Sequence, residues 1–168
     1  CEVYVAPRTR FDKDPDRDRN MNHLILLAEN MTGYKNLTKI VSAAFTEGFY
    51  FKPRVDKELL REHSEGIICL SACLAGAIPR KILNGDYSGA KAEALELRDI
   101  FGKDNFYLEI QNHFLDDDKP ATLGLVKLAE EIGAPLVATN DAHYIKRSDA
   151  KAHDVLLAIQ TGSTVDDE

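Results

Sequence analysis

Basic residues are in short supply. The chain carries 21 Lys and Arg against 28 Asp and Glu, a formal charge of −7. Neutralising a phosphate backbone needs clustered cations, so this balance argues against broad, nonspecific adhesion to nucleic acid. Any phosphate substrate must be handled locally, and bound divalent metals are one way to do it. There is no apolar run approaching the ~18 residues of a membrane span and no basic-then-apolar leader, so a soluble protein without membrane association is expected. Cysteine is scarce and odd in number, at Cys1, Cys69 and Cys73. That argues against a disulfide framework and for a reducing compartment, with the cytoplasm as the default. Also missing are a Gly-x-Ser-x-Gly elbow, a Gly-x-x-x-x-Gly-Lys-Ser/Thr phosphate loop and a Gly-x-Gly-x-x-Gly fingerprint, so nucleotide cofactors are not expected.

What remains suffices for one globular domain: 168 residues, 44% of them hydrophobic, enough for an ordinary core. The alternating run Cys1 to Ala6 reads as a strand already under way when the chain opens. Arg8 to Asn20 interleaves Asp12, Asp14, Asp16 and Asp18 with basic residues and reads as a solvated, mobile loop; the EF-hand's Gly and terminal Glu are lacking. The apolar helix formers from Asn22 predict a helix ended by Gly33. A second helix is predicted over 36–47, with Leu37, Ile40, Val41 and Ala44 on one face. After the extended segment Phe49 to Arg54, Asp56 caps a short helix to about His63. Ile67 to Ser71 reads as a strand buried on both faces. Helices follow over 77–83 and from Asp86 or Ser88 to Phe101, then a strand over 106–110 and a helix from Pro120 or Ala121 through Ile132. A strand over 136–140 and a helix over about 148–160 complete the chain.

Strands alternating with helices predict an α/β fold with a parallel sheet or barrel, in which reactive groups sit at the carboxyl ends of the strands. That rule selects Cys73, His113, Asp141 and His143. Asp141 and His143, two positions apart after an apolar run, form a small metal-binding kit if the segment is extended, since i and i+2 then share a face; they are equally at home in an ordinary turn. Cys69, inside a strand, reads as a small buried hydrophobe, while Cys73 is open to packing or ligation. His23 reads from pattern alone as a surface or helix-terminus histidine, His63 as solvent-facing, and His153 as packing or capping. His113 and Glu109 flank a strand end without needing a special role. Glu2 is the odd residue, because a carboxylate in a barrel strand faces the functional side or needs a buried partner.

Several segments together are specific. Cys-Glu-Val-Tyr-Val-Ala at 1–6, His-Leu-x-Leu-Leu-Ala-x-Asn at 23–30, Thr-Gly-Tyr-x-Asn-Leu at 32–37, Lys-Pro-Arg-Val-Asp at 52–56, Leu-Ser-Ala-Cys-Leu-Ala-Gly at 70–76 and Ala-Thr-Asn-Asp-Ala-His-Tyr at 138–144 occur in order. Their combination resembles the polymerase-and-histidinol-phosphatase (PHP) domain of bacterial DNA polymerase III alpha subunits. The resemblance implies a distorted β/α barrel whose metal ligands match Glu2, His23, Cys73, Asp141 and His143, with Asp141 and His143 as catalytic candidates. The donor set favours zinc, with manganese or iron as alternatives, and magnesium would serve the polymerase elsewhere in a longer protein. Residues 1–147 match the later part of the domain, a partial barrel lacking its first strands, and 148–168 the helix and acidic tail leading towards the polymerase core. The family's opening His-x-His strand has no counterpart in this sequence. Gly-Ala-Ile at 76–78 and His-Phe at 113–114 stand where close relatives have Gly-Glu and His-Gly. The implied activity is metal-dependent phosphodiester hydrolysis at DNA 3′ ends by the intact domain, with the present stretch inactive by itself, against the alternative of a silent scaffold that docks a separate proofreading exonuclease. Implied partners are DNA, that exonuclease and a sliding clamp.

Overall fold

Alternation along the first strands decides the layers. In β1 (Glu2–Val5) Val3 and Val5 are buried while Glu2 and Tyr4 face the other way, and in β2 (Asn22–Ala28) Leu24 and Leu26 are buried while His23 and Ile25 are half-exposed. With a period of two, each strand shows one apolar and one mixed face. The structure, a computed structural model, describes residues 1–166. The remaining elements are α1 (Met31–Thr46), β3 (Arg54–Val55), α2 (Lys57–Glu62), β4 (Ile67–Leu70), α3 (Ala77–Leu83), α4 (Tyr87–Phe101), β5 (Phe106–Ile110), α5 (Asp118–Ile132), β6 (Leu136–Ala138), a 3₁₀ turn at Arg147–Asp149 and α6 (Ala150–Thr161).

The six strands form one open sheet in the order β3-β1-β2-β4-β5-β6. It is parallel except for β2, which runs antiparallel to both neighbours. Helices α1 and α4 cover the apolar face, burying Val3, Leu24, Leu26, Ile40, Ala94, Leu97, Phe106 and Leu108 in one core. Cys69 is fully buried there, as a small hydrophobe. By register and pleat the opposite face carries Glu2, Tyr4, His23, Ile25, Leu70, Tyr107 and Glu109. An α/β architecture of PHP-barrel type, with the sheet not closed, is what these strands build.

Four readings from sequence need correction. Residues 22–28 are a strand, not a helix: hydrogen bonding to β1 on one side and β4 on the other outweighs the helix propensity of Leu and Ala. Gly33 does not end a helix but lies in the first turn of α1, where its N–H donates to the N-cap Asn30 Oδ1 at 3.0 Å and an added Cβ would overlap the Gly66 carbonyl. The 136–140 strand stops at Ala138. His63 is half-buried as the C-cap of α2 rather than solvent-facing. Other boundaries follow the expected signals, including Asp56 accepting from the Leu59 N–H and Asp86 from the Gly89 N–H as helix caps.

The charged segment 8–20 is also not the free loop its composition predicts. Asp18 and Arg54 are both fully buried. Arg8 grips Asp18 through Nε at 3.0 Å and Nη2 at 2.6 Å, a bidentate geometry that gives direction as well as charge neutralisation. Arg54 donates to the backbone carbonyls of Gly48, Asp18, Arg10 and Asp12 at 2.8–3.3 Å, and its guanidinium stacks over Tyr50. Burial pulls the Arg54 guanidinium below its ordinary value, with Asp18 opposing the shift. A planar fork with five donors suits this task, and lysine's point charge does not.

Two measurements test this arrangement. Arg54→Ala leaves four carbonyls without their donor, so urea unfolding is expected to show a loss of about 3–5 kcal/mol, with Arg54→Lys recovering only part of it. The Asp18 carboxyl is held below the usual carboxylate range, chiefly by the Arg8 hydrogen bonds. Its stabilisation is therefore present above the unfolded value of about 3.9 and lost as pH falls through the lower folded value. The urea midpoint should fall below about pH 4, and Asp18→Asn should flatten that slope while lowering the midpoint at neutral pH.

Candidate functional site

The reversed strand β2 brings its first residues to the rim formed by the carboxyl ends of the parallel strands. His23 pairs with Tyr4 and makes a further bridge to Gly76, and Ile25 lies between Glu2 and Leu70, so Glu2 stands level with the end of β4. The chain then turns sharply. Ala72 adopts a left-handed φ of 65°, the Gly76 N–H donates to the Cys73 carbonyl at 2.8 Å and the His23 N–H to the Ala75 carbonyl at 3.1 Å. An added Cβ at Gly76 would overlap the Ser71 carbonyl, so only glycine permits this approach. Cys73 Sγ is thereby held 3.6 Å from His23 Nδ1, and the same nitrogen is 3.3 Å from Glu2 Oε2. The Tyr4 ring meets the imidazole edge-on at 5.2 Å. Burial pushes the Cys73 thiol up, the carboxylates of Asp141 and Glu2 push it further, and the Ala75 amide opposes them.

Asp141 and His143 follow β6 but are not placed by a strand. Asp141 sits at φ 46°, and His143 Nδ1 lies 2.7 Å from its backbone carbonyl and 4.0 Å from its Oδ1. The pair shares a turn, which corrects the expectation of an extended i, i+2 face. The His153 ring packs against His143 at 5.7 Å and Tyr144 at 5.4 Å, and these residues with His113 and Asn140 line an open hollow of about 450 Å³. Asp141 is near enough to raise the Cys73 thiol, which couples this turn to the Glu2–His23–Cys73 group. Among the described residues, no three His, Cys, Asp or Glu side chains are arranged to hold a metal ion.

Residues 1–113 match the family model of the PHP domain. The chain belongs to the PHP family. It is 49% identical over 162 residues to a protein of Treponema pallidum named DNA polymerase III subunit alpha, covering 96% of this chain and 14% of that one. It is 48% identical over 168 residues to the proteins of the same name from Borreliella burgdorferi and Thermus aquaticus, covering 99% of this chain and 15% and 14% of theirs. This PHP chain thus spans about one seventh of the length of these relatives. No helix among the described residues is long and apolar enough to cross a membrane.

Sequence reasoning passed over the polar belt beside the Cys73 turn. Glu109 and Asp118 are both 4% exposed. Glu109 Oε1 accepts from Thr139 Oγ1 at 2.5 Å and from Gln111 Nε2 at 3.2 Å, and its N–H donates to Ser71 Oγ at 2.8 Å. The signal available was the placement of a carboxylate two residues beyond Tyr107 on the same strand face; for Asp118 there was only its place at a helix start. Phe114 has φ 64° and is 91% exposed, a backbone conformation that only glycine adopts without steric cost. The raised Cys73 thiol can be checked by alkylation with peptide mapping, which separates it from exposed Cys1. Reaction at pH 7–8 is expected to be slow, and Asp141→Asn or Glu2→Gln should speed it roughly two- to tenfold by lowering the thiol pKa.

Proposed function

We propose that this chain is the PHP portion of a bacterial replicative DNA polymerase alpha subunit, and that the full-length protein, rather than this stretch by itself, hydrolyses phosphodiesters at DNA 3′ ends. The observation that carries the reading is the convergence of Glu2 and Cys73 on one nitrogen of His23, with the Asp141 carboxylate close enough to act on Cys73. The donor chemistry fits a divalent metal: thiolate and imidazole favour zinc, and two carboxylates admit manganese or iron. Glu2, His23, Cys73, Asp141 and His143 would hold it, after the Cys73 thiol loses its proton and with His143 offering Nε2 while Nδ1 stays on the Asp141 carbonyl. A bound divalent ion supplies Lewis acidity and a water of lowered pKa. Of the chain's own residues, Asp141 and His143 are the catalytic candidates. Tyr4 orients the His23 ring, and the open hollow at His113, His143 and His153 admits a strand end.

The second reading is a scaffold without hydrolytic activity that stabilises the polymerase and docks a separate proofreading exonuclease. It is favoured by the absence, among the described residues, of a preassembled metal-binding trio. In both readings DNA and other replicase subunits, a sliding clamp among them, are partners of the whole protein. Magnesium serves nucleotidyl transfer elsewhere in that protein, and the location is cytoplasmic. Residues 1–147 form the domain and 148–168 lead onward; Leu156 and Ile159 of α6 are 63% and 73% exposed, as suits a helix that meets further chain. The test is metal analysis of the full-length protein with a 3′-end degradation assay. Asp141→Asn is expected to lower degradation by about 10²-fold or more. Equal degradation by both forms, or a metal-free intact protein, would leave the scaffold reading standing.

A further inference from the structure

Glu109 and Asp118 line the same small cavity. Glu109 comes from the mixed face of β5 and Asp118 from the first turn of α5, and with Cys73 and Gln111 they line a space of about 10 Å³. That is close to the volume of one water or one small ion. Each carboxylate has one oxygen engaged. Glu109 Oε1 holds Thr139 and Gln111, and Asp118 Oδ2 accepts the N–H groups of His113 at 2.6 Å and Leu115 at 3.0 Å. Each also has one oxygen, Glu109 Oε2 and Asp118 Oδ1, that is buried without any hydrogen-bond partner. Neither carboxylate takes part in an ion pair among the described residues. Two carboxylates 4% exposed with no cation beside them are electrostatically costly unless a positive charge joins them.

We propose that the unpartnered oxygens of Glu109 and Asp118 bind one hard divalent cation of the magnesium or manganese class, at a site that Cys73 borders but that uses none of the Glu2, His23, Asp141 and His143 donors. One or two carboxylates completed by water and neutral oxygens is the usual protein contribution for such an ion. The adjoining groove of about 600 Å³, lined by Gln111, Asn112, Phe114, Leu115, Asp118 and Thr139 among others, gives it a path in. The cation ties the segment 111–118 to the ends of β5 and β6, so it orders the floor of that groove.

Peptide-resolved hydrogen exchange on the full-length protein, stripped with chelator and titrated with Mn²⁺, tests the assignment locally. At free Mn²⁺ about ten times its Kd, mass action slows exchange about tenfold in peptides covering 106–121. Glu109→Gln and Asp118→Asn each keep an acceptor for the existing hydrogen bonds and are expected to abolish that slowing, whereas Asp141→Asn is expected to retain it. Retention in Asp141→Asn also separates this outcome from failure of the hydrolase reading. The proposal is overturned if wild-type exchange in 106–121 ignores Mn²⁺, which is the result for a trapped water or a proton shared between the carboxyls. It is overturned equally if the slowing survives both carboxyl variants or disappears in Asp141→Asn. Should one carboxyl variant misfold, seen as rapid exchange throughout the domain, the other variant and the wild-type titration decide.

Discussion

The candidate site depends on β2 being hydrogen-bonded along both edges, antiparallel to β1 and to β4. A parallel strand at this place would present its last residues at the rim. The reversed strand presents its first, and that is why His23 meets Glu2 and Cys73. The same two-sided pairing fixes the pleat. A slip of one residue would carry His23 into the core and Leu24 and Leu26 onto the polar face, at a cost of about 1.5–3 kcal/mol for each exposed leucine. Burial of those two leucines therefore sets the register that brings the three donor side chains together.

A second constraint acts on the opposite side of β1. Arg54 gathers carbonyls from residues 10, 12, 18 and 48 around one guanidinium, while Arg10 bridges Asp56 at 3.0 Å and Glu47 at 2.7 Å. Segment 8–20 is thereby held against β3, and the edge of the sheet next to β1 is braced. Charge is handled oppositely at the two ends of the molecule. Around Arg54 the cation is buried and surrounded by acceptors. Around Glu109 and Asp118 the anions are buried and only half of their oxygens are engaged.

Much of the fold was legible because its signals are local. Asp56 and Asp86 as caps and the short apolar runs at 67–70 and 106–110 each report on their own neighbourhood, and the elements stand where those residues indicate. The segment 22–28 was misread because His-Leu-Ile-Leu-Leu-Ala contains good helix formers, and its strand character comes from partners 20 and 40 residues away. Segment 8–20 was misread for the same reason: its charges balance locally, but its carbonyls at 10, 12 and 18 are gathered by an arginine at position 54. Of the site, Cys73 followed from the rule that strand ends carry chemistry, and Glu2 stood out as a carboxylate in a strand. His23 did not, because the rule assumes a strand that runs with its neighbours.

Asp141 and His143 show how a pair picked for one geometry can adopt another. Their spacing suggests a shared strand face, yet the strand ends three residues before Asp141, and a left-handed residue folds His143 back onto its own main chain. A histidine whose Nδ1 lies at 2.7 Å from a carbonyl can hold it as an N–H donor, which leaves Nε2 as the basic nitrogen. Outer hydrogen bonds of this kind fix the tautomer and direction of ligating histidines. On that argument the turn does more than connect. It leaves Nε2 as the ring nitrogen not held by the main chain, beside the hollow shared with His113 and His153, so that under the proposed reading a metal would be met there without rotation of the ring.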